Sequence, residues 1–351
     1  MAEEVIWIDT DCGFDDLGAI SLLDEYSRRF PNKMEIGFIS TVNGMANPVM
    51  AKEILGKLFQ SDGFYSKPII SCGYDSIKTQ KHYLKESDWG PQYKEDFSSF
   101  IKDNLDIYGD DFSSTLEQLS DRIADFEEIV NGITNMSKTK EQRVTLLCLG
   151  PLTNIAQIIK QYPTFLAKYV DRVVLMGGAV LVNGNAPGEA EYNFYLDPES
   201  AAFALNNCPV RIEMLGLEVA NDKCLQTKEY NELISSLSIE EEEVSKSTDH
   251  GGKDALEIFS SKMFLQTLSK KTKDSLSYDT VAAYYLINPT EFTFDPIKME
   301  VNDSSGRTTK IVSNSNESGR ALSDGIDVNL SVNFSRSLYF NYLLSKVFKN
   351  N

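Results

Sequence analysis

Short apolar runs rich in β-branched residues recur through the first two thirds of the chain, at 5–8 (VIWI), 36–41 (IGFIST), 67–71 (KPIIS), 144–149 (VTLLCL), 172–177 (RVVLMG) and 210–215 (VRIEML). Between them, DDLGAISLLDEYSRRF, PVMAKEILGKLFQ and LTNIAQIIKQY carry apolar side chains three and four residues apart. Strand-like runs alternating with segments of helical period predict a mostly parallel sheet with helices packed on its faces. Residues 230–285 read as mainly helical. The tail then changes period: FTFDPIKMEVNDSSGRTTKIVS alternates and turns at DSSG, which predicts an antiparallel hairpin added to the sheet. The expected fold class is therefore α/β, an open, mostly parallel sheet flanked by helices with a C-terminal antiparallel hairpin. No internal repeat is visible, and residues 1–351 read as a single domain. Ser-rich and acidic stretches near 74–115 and 235–255 read as loop or lid insertions.

Composition narrows the partners. With 42% apolar and 25% charged residues, the 351-residue chain has ample material for a core. Its net charge of −18 repels phosphate backbones and anionic membrane surfaces over a Debye length of about 8 Å. Neither nucleic acid nor a membrane is an expected partner. The five cysteines, Cys12, Cys72, Cys148, Cys208 and Cys224, are scattered and form no C-x-x-C pair, so they read as reduced thiols of a cytoplasmic protein. MAEEVIWID lacks a basic leader, and the longest apolar run, VVLMGGAVLV at 173–182, is too short to span a bilayer. The only histidines are His82, read as a solvated loop residue, and His250, read as lid surface, so the chemistry must rest on carboxylates.

Those carboxylates are concentrated at the end of the first predicted strand. In VIWIDTDCGFDDLGAI, four of them, Asp9, Asp11, Asp15 and Asp16, fall within eight residues, and Gly13 permits a tight turn before a helix. Open α/β sheets bind ligands at the carboxyl ends of their strands. Like charges packed this closely raise each other's proton affinity unless a cation neutralises them, so the pattern points to a hard divalent metal with oxygen ligands. Helix capping and the helix dipole would explain one such Asp but not four. A strand followed by D-x-D also opens aspartyl-phosphate phosphotransferases of the haloacid dehalogenase kind. Gly13 and the Asp15–Asp16 pair depart from that pattern, and the segments DTDCGFDD, LGPLTNIA, LMGGAV, EYNFYLDPESAA and YDTVAAYY carry no basic residue for a phosphate.

Five blocks taken together, DTDCGFDD, LGPLTNIA (149–156), LMGGAV (175–180), EYNFYLDPESAA (191–202) and YDTVAAYY (278–285), strongly resemble the nucleoside hydrolase family. They occur in the family's order and span roughly residues 5–340. The resemblance implies calcium-assisted hydrolysis of the bond joining a base to ribose, one Ca2+ per subunit, in a homo-oligomer with a dimer favoured. Carried over by position, it makes Asp11 a metal ligand and the general base. Asp16, the backbone carbonyl of Leu149 and Asp279 complete the metal site. It makes Asp15, Asn185, Glu191 and Asn193 the ribose contacts, and Tyr192 beside them reads as flanking the sugar or base or as packing.

The resemblance also bears on the base. In the pyrimidine-accepting branch a histidine precedes the distal metal-binding Asp, and here Tyr278 holds that position. The chain therefore looks like the purine-preferring branch, in which aromatic rings sandwich the base, with Trp89 and Tyr278 as the two rings. Such stacking raises the proton affinity of a purine, so solvent rather than a positioned acid can protonate it. One departure stands out. After the second strand the family usually places an Asn or Asp, and STVNGMANP puts Met45 there, with Asn43 and Asn47 as neighbours. The function implied is hydrolysis of purine ribonucleosides such as adenosine, guanosine or inosine, in purine salvage. A metal-dependent phosphatase and a non-catalytic ribonucleoside-binding protein are the alternatives.

Overall fold

A computed structural model describes residues 2–60, 64–74, 126–221, 228, 278–311 and 325–347. The expected base-stacking residue Trp89, both histidines, His82 and His250, and nearly all of both predicted insertions lie outside these residues. All six expected strands form: β1 (Glu4–Thr10), β2 (Met34–Thr41), β3 (Ile69–Cys72), β4 (Val144–Cys148), β5 (Val170–Met176) and β6 (Arg211–Leu215). The tail supplies β7 (Phe292–Val301), β8 (Thr308–Lys310) and β9 (Ile326–Phe334), giving a nine-stranded sheet of order β3-β2-β1-β4-β5-β6-β9-β7-β8. Pairing is parallel from β3 through β9 and antiparallel where β7 meets β9 and β8. The hairpin turns at 302–306 as expected, and Gly306 takes φ +76°, a conformation that favours glycine.

Among the described residues the α-helices are α1 (Phe14–Arg29), α2 (Pro48–Gln60), α3 (Phe126–Lys140), α4 (Thr153–Gln161), α5 (Phe165–Tyr169), α6 (Tyr192–Leu196), α7 (Pro198–Asn207), α8 (Asp279–Ile287) and α9 (Arg336–Val347). They cover both sides of the sheet, so strand residues are buried whichever way they point. In β1, Ile6 and Ile8 enter the core beneath α1, α2, α8 and α9, while Val5 and Trp7 enter the core beneath α3, α4, α5 and α7. Trp7, expected to be core, is fully buried and meets Phe38 and Phe165 edge-on. Among the described residues no helix is long and apolar enough to cross a membrane.

Two features of this topology place the site. The chain runs outward from β1 through β2 and β3, then returns to β4 on the other side of β1. The loops after β1 and β4 consequently leave in opposite directions and open a crevice at the carboxyl edge of the sheet. All nine residues of α8 are buried and packed on α1, which carries Asp279 from far along the chain to the same edge.

Candidate active site

The acidic segment turns sharply after β1. Cys12 adopts a left-handed backbone, φ 63°, and its N–H is accepted by Thr10 Oγ1 at 3.0 Å. Asp16 Oδ2 accepts from Gly13 N at 3.0 Å, while its Oδ1 accepts from the Thr10 hydroxyl. These bonds close the turn and seat both Asp15 and Asp16 in the first turn of α1, where the helix dipole favours negative charge.

Asp11, Asp16 and Asp279 are each 2% exposed. Asp15, Asp16 and Asp279 each offer a carboxylate oxygen within 4.8 Å of the others. Asp15, expected at the ribose, also lies in the acidic cluster with two of the expected metal ligands. Asp11 borders the cluster, and its Oδ2 accepts from Met45 N at 3.0 Å. Burial, then the charge of Asp16, pushes the Asp11 carboxyl well above the ordinary carboxylate range. Burial followed by the charges of Asp16 and Asp15 does the same to Asp279. Hard oxygens that repel one another in a buried cleft fit a divalent cation of the calcium type, which takes six to eight such ligands.

Asp9, expected from the sequence to belong to the acidic metal cluster, instead bonds to neighbouring elements behind it. Its Oδ1 accepts from Ser40 Oγ at 2.5 Å and from Asn154 Nδ2 at 2.8 Å. Asn154 also donates to Thr41 O at 3.0 Å, and Trp7 Nε1 donates to Ser40 Oγ at 2.8 Å. Asp9 thus ties β1, β2 and the start of α4 together beneath the cleft. Its other oxygen is buried without a hydrogen-bond partner among the described residues.

The second half of the site follows β5. Leu149, at the end of β4, directs its carbonyl to Asn193 Nδ2 at 2.8 Å, and the same amide donates to Met176 O at 3.4 Å. Glu191 caps α6: its Oε1 accepts from Asn193 N at 2.9 Å, and its Oε2 accepts from Phe194 N at 3.2 Å and Gly178 N at 3.1 Å. Burial raises the proton affinity of Glu191 and these backbone N–H groups oppose it. Asn185 Oδ1 accepts from Tyr192 N at 3.0 Å. Tyr192 is largely buried and faces Tyr195 at 6.4 Å between ring centroids. Tyr278 immediately precedes α8 and is half-buried beside Asp279. Met45 is half-buried at the same cleft, and a Cβ built on Gly13 would lie 3.3 Å from its Cγ. The structure therefore brings Asp11, Asp15, Asp16, Leu149, Asp279, Glu191 and Asn193 to one edge of the sheet.

Known proteins are similar to this chain in sequence and in fold. The family model described as "Inosine-uridine preferring nucleoside hydrolase" matches residues 6–333. A Dictyostelium discoideum protein described as a probable ribonucleoside hydrolase is 28% identical over 326 residues, covering 86% of this chain and 84% of that protein. A rice protein described as probable uridine nucleosidase 1 is 37% identical over 93 residues, a match spanning 26% of this chain and only 28% of the relative's length. The crystal structure of an inosine-uridine preferring nucleoside hydrolase from Bacillus anthracis superposes with a TM-score of 0.67 at 19% identity, covering 99% of this chain and all of that one, which shows a shared fold.

Proposed function

The chain belongs to the inosine-uridine preferring nucleoside hydrolase family, and from that premise we propose that it hydrolyses the N-glycosidic bond of purine ribonucleosides, with calcium, to free base and ribose. The observation that carries the reading is the convergence of Asp11, Asp15, Asp16 and Asp279 on the cleft where Asn193 holds the carbonyl of Leu149. Asp11, Asp16, Asp279 and the Leu149 carbonyl would hold the cation, with Asp15 close enough to share in binding it. When bound, a calcium ion lowers the pKa of a coordinated water and fixes its direction of approach to the anomeric carbon.

The remaining steps belong to the protein. Asp11, just past the end of β1, accepts the proton of the attacking water, with one carboxylate oxygen held by Met45 N. As the base departs, positive charge develops on the ribosyl ring. Asp15, Asp11 and Glu191 stabilise it electrostatically in a site shielded from bulk water. Asn185, Glu191, Tyr192 and Asn193 surround the ribose, and a set of amides and carboxylates is suited to telling hydroxyls from hydrogens.

Purine preference rests on Tyr278 at the position before Asp279 and on Trp89 as the second ring. No positioned acid is needed if stacking raises the proton affinity of the purine. A neutral nucleoside also suits this acidic cleft better than a nucleotide, whose phosphate would be repelled. The same reading includes a role in purine salvage, a cytoplasmic location and a homodimer. The deciding assay measures base and ribose released from adenosine, guanosine, inosine, cytidine, uridine and a nucleotide, with and without a calcium chelator. Purine release abolished by chelation is the expected result. Equal activity on uridine would overturn the role given to Tyr278, and no turnover of any nucleoside would leave a ribonucleoside-binding protein.

A further inference from the structure

The loop after β5 is held by side chains from three distant parts of the chain. Four consecutive N–H groups, those of residues 178 to 181, all end on side-chain oxygens. Gly178 N donates to Glu191 Oε2 at 3.1 Å and Ala179 N to Thr308 Oγ1 at 2.9 Å. Val180 N and Leu181 N both donate to Glu218 Oε1 at 2.7 Å. Ala179 is only 2% exposed and Thr308 only 3%, so water cannot readily substitute for the hydroxyl. Glu218 accepts its position at a cost, because its Oε2 is buried without a partner among the described residues.

The β7–β8 hairpin braces the same segment at two more points. Arg307 Nη2 pairs with Glu189 Oε2 at 2.6 Å, at a residue whose backbone is left-handed, φ 61°. Gly306 approaches Phe194 so closely that a Cβ there would stand 2.3 Å from the Phe194 carbonyl oxygen. The segment braced in this way, 178 to 194, carries Asn185, Glu191, Tyr192 and Asn193.

We propose that Thr308 and Glu218 are positioning residues for ribose recognition, acting by fixing the backbone of residues 178–181 and, through Gly178 and Glu191, the placement of Asn193. The proposal rests on the nucleosidase reading for what is recognised, but the coupling it describes is a property of the fold. Without the Thr308 hydroxyl the Ala179 N–H is buried and unpaired, and the loop shifts to find another acceptor. The carboxylate of Glu191, bound to that loop and to the start of α6 at once, shifts with it.

The test compares Thr308→Val, Thr308→Ser, Glu218→Leu and Glu218→Gln. Ser and Gln retain an acceptor oxygen, whereas Val and Leu do not. Thr308→Val and Glu218→Leu are expected to lower kcat/KM for a purine ribonucleoside by about 10- to 100-fold, with a smaller loss on its 2′-deoxy and 5′-deoxy counterparts. Thr308→Ser and Glu218→Gln should stay within about threefold of the parent. A proportional loss on all three substrates would indicate general destabilisation and overturn the proposal. Amide hydrogen exchange decides it without turnover: faster exchange in Thr308→Val at 178–181 must extend to 191–194. Unchanged protection at 191–194 would overturn the coupling, while an inactive parent chain with coupled exchange would overturn only the nucleosidase reading.

Discussion

The side-chain amide of Asn193 donates to the carbonyl oxygen of Leu149 at 2.8 Å. The same nitrogen also lies 3.4 Å from Met176 O and 3.7 Å from Met176 Sδ, so its donors are engaged within the protein and its oxygen is the atom left to meet a sugar hydroxyl. One residue thus joins the proposed ribose side of the cleft to the expected carbonyl ligand of the metal. Asn193→Asp removes both donors and faces two carbonyls with a carboxylate. It should lower kcat/KM by about 10- to 100-fold and weaken calcium binding in a chelator titration. Lost turnover with unchanged calcium affinity would show that the two halves of the site are not linked through this bond.

Asp11→Asn keeps the shape of the side chain and removes both a negative charge and a proton acceptor. The fold should persist, since Met45 N can still donate to the retained oxygen. Turnover should fall by about 100- to 10,000-fold, the usual worth of a general base. Steady-state kinetics beside circular dichroism checks both halves, and a near-normal rate would remove Asp11 from the mechanism.

Gly44 touches the same carboxylate from the loop after β2. A Cβ built there would lie 2.0 Å from Asp11 Oδ2 and 2.7 Å from Asp11 Cβ, so either the loop or Asp11 must move. Gly44→Ala should therefore reduce kcat by about tenfold or more while costing about 1–3 kcal/mol of stability. Equal kcat in the variant would mean that the loop yields and Asp11 stays in place.

What the sequence disclosed and what it withheld follow from locality. The acidic turn was legible because Asp9, Asp11, Asp15 and Asp16 are adjacent in sequence and β1 aims them at one edge. Apolar runs sufficed for six strands because a sheet buried on both faces leaves little room for polar residues. The β7–β8 hairpin was visible in its alternation and its DSSG turn; β9, IDVNLSVNF, alternates as strictly and was legible by the same rule, although it was not among the expected strands. Asp9 as a buried tie to Ser40 and Asn154 was not legible, because its partners lie 31 and 145 residues away. The bonds that Glu218 and Thr308 make to the β5 loop were hidden for the same reason. Nothing in DSSGRTTK indicates that its hydroxyl meets Ala179 across 129 residues.

Asp9 also sets how stability should respond to pH. Burial pushes its carboxyl up to about 7, with the charge of Asp16 adding to the effect and the bonds from Ser40 and Asn154 opposing it. In the unfolded chain the same group ionises near its ordinary value of 3.8. Between those values the folded state holds a proton that the unfolded state has released, so stability falls as pH rises. The contribution is fully present below about pH 4 and is lost as pH passes about 7, an amount on the order of 4 kcal/mol. Asp11 and Asp279, both raised, act in the same direction when no cation is bound. A divalent cation reverses the sign for Asp11 and Asp279, because it binds their ionised carboxylates and displaces their protons, and so offsets the fall that Asp9 contributes. Thermal melts in a chelator should show Tm falling from pH 5 to pH 8, and melts in excess calcium should show it level or rising over the same range. If Tm in the chelator rose with pH, these carboxylates would have to be ionised and neutralised by some means other than a bound cation.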